Sequence, residues 1–258
     1  MTGTARGAEP IDPHGKEPVN EAAQAEAVRV MFNGIAHRYD TLNHVLSINI
    51  DRLWWRRAAR QFRHILARPE AQVLDVCCGT GDMTLALLRW RPENGEPVMA
   101  LDFARRMLDR ADKKFAAPAL GARRAVTVEA DALHMPLPDG SADLVTSAFG
   151  FRNLANYEAG LREFHRVLKP GGELGILDFS EPRGLLGVAY RAYFHGVLPR
   201  IGRFVSGSGE SYEYLPRSVA RFPAPAEMVA LMGRCGFRDA SWTAYSFGIA
   251  GLYRAVKA

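Results

Sequence analysis

A chain of 258 residues, 48% hydrophobic and 24% charged, can bury one sizeable core and stands at the upper end of single-domain length. Its net charge of +5 suits an anionic partner, but the arginines read as scattered, and without a basic motif interleaved with aromatics nucleic acid is disfavoured. Three cysteines, two adjacent and none in C-x-x-C spacing, exclude a zinc or redox motif and fit a reduced cytoplasm.

In chain order, residues 1–20 hold Gly, Pro and mixed charge without apolar periodicity, and are expected to form a disordered tail. They lack the charged start and apolar core of an export signal, and Thr2 stands where a myristoylation start requires glycine. A single domain is expected over 21–258, opening with helices over 21–68. From Gln72 to Asp178, short β-rich apolar runs alternate with amphipathic stretches, the pattern of an α/β fold with a parallel sheet and crossover helices. Strands are predicted at Gln72 to Val76, Pro97 to Leu101, Ala125 to Glu129, Ala142 to Ala148 and Glu173 to Phe179. Helices are predicted near Asp82 to Arg91, Ala104 to Ala116 and Tyr157 to Leu168. Lys169-Pro170-Gly171-Gly172 predicts a helix stop and a turn before the fifth strand, because proline cannot continue a helix and glycine accepts positive φ. Beyond it, an inserted helical lid is expected over about 182–220, including a helix from Leu185 to Arg203. Its greasiest part, Gly184 to Pro199, is interrupted by Arg191 and His195 and falls short of a membrane span. A helix at Ala224 to Gly233 and an antiparallel pair, Phe237 to Phe247 with Ala250 to Val256, complete the pattern.

The first strand runs through Val73-Leu74-Asp75-Val76 into Cys77-Cys78-Gly79-Thr80-Gly81 and then a helix. Gly79 and Gly81 remove Cβ atoms that would block a nucleotide across the strand ends, and the helix offers its N-terminal N–H groups. A glycine turn that binds nothing is an equal reading of this motif alone. Two further strand ends tip the balance. Asp102 closes the second strand, roughly 20 residues on, where a carboxylate accepts from both ribose hydroxyls. Asp131, followed by Ala132, stands after the third and can meet the edge of an adenine. A dinucleotide fingerprint needs a third small residue at position 84, which is Thr84, so NAD is disfavoured. S-adenosylmethionine (SAM) fits better: it has no pyrophosphate, and its amino-acid end needs polar partners such as Asp75, Thr80 and Asp82.

Two stretches then resemble a known family. One is Phe32-Asn33-Gly34-Ile35-Ala36-His37-Arg38-Tyr39-Asp40-Thr41-Leu42-Asn43-His44-Val45-Leu46-Ser47 with Asp51-Arg52-Leu53-Trp54. The other is Arg166-Val167-Leu168-Lys169-Pro170-Gly171-Gly172-Glu173-Leu174 with Asp178-Phe179-Ser180. Both are similar to signatures of the demethylmenaquinone methyltransferase and ubiquinone-menaquinone biosynthesis C-methyltransferase family, as are Phe149-Gly150-Phe151-Arg152-Asn153 and His195 to Gly202. Departures are Leu42 for the usual Met, Asp51 for His, Asp178 for Glu, and Ala148 where some members place a SAM-contacting Ser. Ser147, its neighbour, should point to the opposite face.

The resemblance implies a Rossmann-like class I SAM-dependent methyltransferase fold, a mostly parallel seven-stranded sheet with helices on both faces. It implies SAM contacts at Thr80, Asp102, Asp131 and Ala132, and C-methylation of a prenylated hydroquinone, demethylmenaquinol to menaquinol. A ring carbon becomes nucleophilic when an adjacent hydroxyl loses its proton, so the reduced quinol is the expected substrate. Arg152 is expected to stabilise the phenolate and Asn153 to hold the ring oxygen, with a structural salt bridge the equal alternative for Arg152. Tyr39, Asp40, His37, His195 or a water are the candidate bases. No metal site is expected. The basic and aromatic stretch of Tyr190, Tyr193, Phe194 and Phe204 with Arg191, Arg200 and Arg203 reads as core packing or a peripheral membrane contact, the cytoplasm as location, and a homodimer as an open assembly. A methyltransferase of another quinol or small phenol and a non-catalytic SAM-binding module are the alternatives.

Overall fold

The computed structural model describes residues 21–47, 50–180 and 210–258, with the backbone alone for 37–47, 210–213, 215 and 216. The expected lid helix and the basic aromatic stretch lie outside the described residues. Three helices open the fold: α1 (Glu21–Ser47), α2 (Ile50–Gln61) and α3 (Arg63–Leu66). Then β1 (Val73–Val76), α4 (Asp82–Leu88), β2 (Val98–Asp102), α5 (Arg105–Phe115), β3 (Ala125–Glu129), β4 (Ala142–Ala148), α6 (Tyr157–Val167) and β5 (Leu168–Phe179) alternate. The chain ends with α7 (Glu210–Arg221), α8 (Pro225–Arg234), β6 (Phe237–Tyr245) and β7 (Ala250–Lys257).

All four residues of β1 are buried, because helices cover both faces of a parallel sheet. The seven strands lie in the order β3-β2-β1-β4-β5-β7-β6, the first five parallel and β7 antiparallel to both neighbours. Leu74, Leu174 and Ile176 on one face pack with Phe164 of α6 and Met228 of α8. Val73, Leu144 and Leu177 on the other pack with Phe62, Trp55 of α2 and Leu87 of α4. Burying each such side chain is worth roughly 1.5–3 kcal/mol. Among the described residues no helix is long and apolar enough to cross a membrane.

The predicted strands fall within a residue or two of the observed ones, except at β5. There Ala142 pairs with Leu168 and Leu144 with Glu173, so Lys169 to Gly172 bulge out of a strand that already starts at Leu168. The turn exists, with Gly171 at φ +76°, but inside the strand's pairing rather than before it.

The chain winds outward from β1 to β3 and then crosses back to β4. Its topological switch point therefore lies between β1 and β4, where loops diverge and leave a crevice beyond the carboxyl ends of the strands. The two loops approach closely: a Cβ on Gly150 would stand 2.4 Å from the Cys77 Cβ, so only glycine fits.

Candidate active site

A crevice open to solvent lies at these strand ends, with about 950 Å³ of empty space when the adjoining solvent is counted. Gly79 and Thr80 from the turn after β1, Asp102 and Phe103 after β2, and Asp131 and Ala132 after β3 form one half of its lining. Trp55 of α2, Phe149 and Asn153 after β4, and Phe32 of α1 form the other half.

Asp102 is 8% exposed, at the edge of the cavity. Its Oδ2 accepts from the Gly79 N–H at 2.8 Å and its Oδ1 from the Ala104 N–H at 2.9 Å, which fixes the carboxylate across the end of β1. Burial pushes its carboxyl up to about 6, while these backbone bonds pull it back. Asp131 is half-exposed, its Oδ1 accepting from the Leu133 N–H at 2.9 Å. At the other end of the turn Lys114 donates to the Thr80 hydroxyl and to Asp82 Oδ1, both at 2.9 Å. Lys114 comes from the far end of α5, and no motif in the sequence marked it.

Three expectations need correction. Asp75 does not reach the cavity: it is fully buried, with the Thr84 hydroxyl donating to Oδ2 at 2.6 Å and the Thr146 hydroxyl to Oδ1 at 3.0 Å. Burial pushes its carboxyl up to about 7. Gly81 also stays outside the lining; at φ +86°, a Cβ there would meet the Phe115 ring at 2.5 Å, so its place is packing against α5. Arg152 is 5% exposed, is not among the lining residues, and takes the salt-bridge alternative in place of the catalytic one, Nη1 donating to Asp178 Oδ1 at 2.9 Å and the backbone N–H to Oδ2 at 3.0 Å. Its Nη1 also donates to the Phe149 carbonyl and its Nε to the Ser218 hydroxyl.

Asn153, next along, does line the cavity, and the Tyr214 hydroxyl of α7 donates to its Oδ1 at 3.1 Å. Burial pushes the Tyr214 phenol up, which keeps it a donor. Ala148 lines the cavity while Ser147 is buried, as strand alternation requires. Tyr39, Asp40 and His37 lie on α1 with side chains outside the described residues, and His195 lies outside them altogether. Cys77 and Cys78 are free, and burial raises both thiols well above their ordinary range. Among the described residues no cluster of His, Cys, Asp or Glu could hold a metal ion.

The donor set fits SAM. A carboxylate bonded to the glycine turn at the cavity edge, a second acid one strand further on, apolar walls from Phe103 and Ala132, and Thr80 and Asp82, held by Lys114, match ribose, adenine and a charged amino-acid end.

A profile of the ubiE/COQ5 methyltransferase family matches residues 19–257. A demethylmenaquinone methyltransferase of Deinococcus radiodurans is 47% identical over 89% of this chain and 92% of its own length. The ubiquinone/menaquinone biosynthesis C-methyltransferase UbiE of Geobacter sulfurreducens is 42% identical over 91% of this chain and 90% of its own. Among solved structures, a SAM-dependent methyltransferase from Aquifex aeolicus superposes with a TM-score of 0.54 at 20% identity, over 78% of this chain and 89% of that one. That likeness shows the fold alone.

Proposed function

The chain belongs to the ubiE/COQ5 methyltransferase family, and from that membership we propose that it methylates a ring carbon of a prenylated hydroquinone, converting demethylmenaquinol to menaquinol. It is a SAM-dependent methyltransferase. The observation that carries the reading is that Asp102 with the glycine turn and Asn153 with Trp55 and Phe149 share one cavity. Gly79, Thr80, Asp102, Asp131 and Ala132 would hold SAM, which supplies an electrophilic methyl group on a positively charged sulfur.

The chain's own residues orient and exclude. Trp55 and Phe149 offer flat apolar walls to an aromatic ring and keep water from it. Tyr214 occupies the Asn153 carbonyl oxygen, which leaves the amide N–H groups to donate to a ring oxygen as it gains charge. Arg152, in its ion pair with Asp178, fixes the backbone on which Asn153 stands and acts as a positioning residue. Tyr39 and Asp40 remain the candidates to take the hydroxyl proton. Removing that proton would feed electron density into the ring; the ring carbon would take the methyl group in place of its hydrogen, which leaves as a proton to water, and the oxygen would recover its proton from the base. The location proposed is the cytoplasm with peripheral contact to the inner membrane face.

The name of the Geobacter sulfurreducens relative covers both quinone pathways, which favours a benzoquinol as the second reading. Incubation with SAM and either demethylmenaquinol or the benzoquinol counterpart, with NMR of the product, tests both. A new carbon-bound methyl on the naphthoquinol ring is expected, with Asn153→Ala lowering turnover by about a hundredfold. Methyl on oxygen, or only on a simple phenol, would overturn the reading.

A further inference from the structure

The arginines are not evenly scattered, and the fold sets one group of them on a single helix face. Residues 50–64 hold five of them against one acid, Asp51, and five cations less one carboxylate leave +4 of the chain's net +5 in this short stretch. Asp51 is buried, its Oδ1 accepting the Arg52 N–H at 2.7 Å, so it does not offset them at the surface. On α2 the positions three and four apart divide the helix cleanly. Trp54, Trp55, Ala58 and Ala59 face the protein, while Arg52, Leu53, Arg56, Arg57 and Arg60 face out. Among the described residues Arg52, Arg56, Arg60 and Arg63 have no ion-pair partner.

Apolar side chains stand at the end of this basic face. Leu53 is 63% exposed, and Phe247, in the turn between β6 and β7, is 88% exposed. The turn is tied to the same helix, Trp54 Nε1 donating to the Ser246 hydroxyl at 2.9 Å. Ser246 and Phe247 both adopt positive φ, 46° and 59°, a conformation that costs energy for residues with a Cβ and here holds an aromatic ring in solvent.

We propose that the outer face of α2, with the Phe247 turn, is a docking surface for an anionic lipid bilayer. The arginines supply long-range attraction to anionic headgroups, each weakening within a Debye length, and Leu53 and Phe247 supply the apolar contact once the surface is reached. Trp55, on the opposite side of the same helix, lines the cavity. Docking therefore sets the cavity wall about one helix diameter, roughly 10 Å, from the headgroups. The purpose of the surface rests on the proposed lipophilic quinol; the binding itself does not.

Co-sedimentation of the full chain with phosphatidylglycerol vesicles and with phosphatidylcholine vesicles tests it. Binding to the anionic vesicles alone, weakening with salt, is expected. Arg52→Glu with Arg56→Glu and Arg60→Glu should lower the partition coefficient at least a hundredfold, since each cation near such a surface is worth about a factor of five. Leu53→Ser with Phe247→Asn, which suits the positive φ, should lower it about tenfold while keeping the charge. Both variants should melt and bind S-adenosylhomocysteine as the parent does and methylate a short-chain, water-soluble quinol at the parental rate. Vesicle binding unchanged in the charge variant, a parent that stays in the supernatant, or equally tight salt-dependent binding to duplex DNA would each overturn the proposal. Failure of every quinol as acceptor with vesicle binding intact would instead strike the proposed substrate and leave the docking surface standing.

Discussion

Asp75 and Asp102 stand on neighbouring strands, yet their surroundings give them different work. Asp102 keeps an edge to the cavity and two backbone donors; Asp75 is sealed beneath the turn by two threonine hydroxyls. Burial raises the Asp75 carboxyl from its ordinary 3.8 to about 7, so the folded state holds its proton more tightly than the unfolded chain does. The stability it contributes is then complete below about 3.8 and is lost as pH rises through about 7. Asp75→Asn removes this titration with little change of shape. Its melting temperature should exceed the parent's at pH 8.5, the gap closing as pH falls toward 5; a variant that melts lower at pH 8.5 would mean that the ionised carboxylate is favourably held. The sequence marked Asp102 by its strand-end position and Asp75 as a polar partner for the amino-acid end of SAM. It did not separate them, because every residue of β1 is buried and the pattern shows no face, while the Thr146 partner lies 71 residues away.

The ion pair of Arg152 and Asp178 works at the level of elements, joining the segment after β4 to the end of β5 and, through Ser218, to α7. Burial pushes the Asp178 carboxyl up while the guanidinium pulls it down, so removing the cation leaves an uncompensated acid in the core. Arg152→Met should cost about 3–5 kcal/mol in urea unfolding, whereas Arg152→Met with Asp178→Leu should cost clearly less. If Arg152→Met unfolded like the parent and lost only turnover, the guanidinium would have to reach the substrate directly. The element boundaries themselves were largely legible, since apolar period and Gly-Pro punctuation are local signals. The Lys169 to Gly172 bulge was not, because only pairing with β4 decides that the strand begins before it.

For the whole molecule, one ligand should tie these parts together. Because the cavity draws its lining from the ends of β1, β2 and β4 and from α1 and α2, S-adenosylhomocysteine at a hundred times its Kd should stabilise the fold by about 2.7 kcal/mol. A thermal shift assay reads this, and an unmoved melting temperature at saturating ligand would contradict the assigned cavity. The sequence by itself determined the alternation of strands and helices, the glycine turn, the acids at the ends of the second and third strands and the family signatures, because each is written in contiguous residues. Only the tertiary structure decided that Asp75 and Gly81 pack instead of lining the cavity, that Arg152 is held in an ion pair, and that Lys114 and Tyr214 brace the site. Those outcomes depend on which side chain meets which across long stretches of chain, and burial and pairing arise only when the sheet has closed.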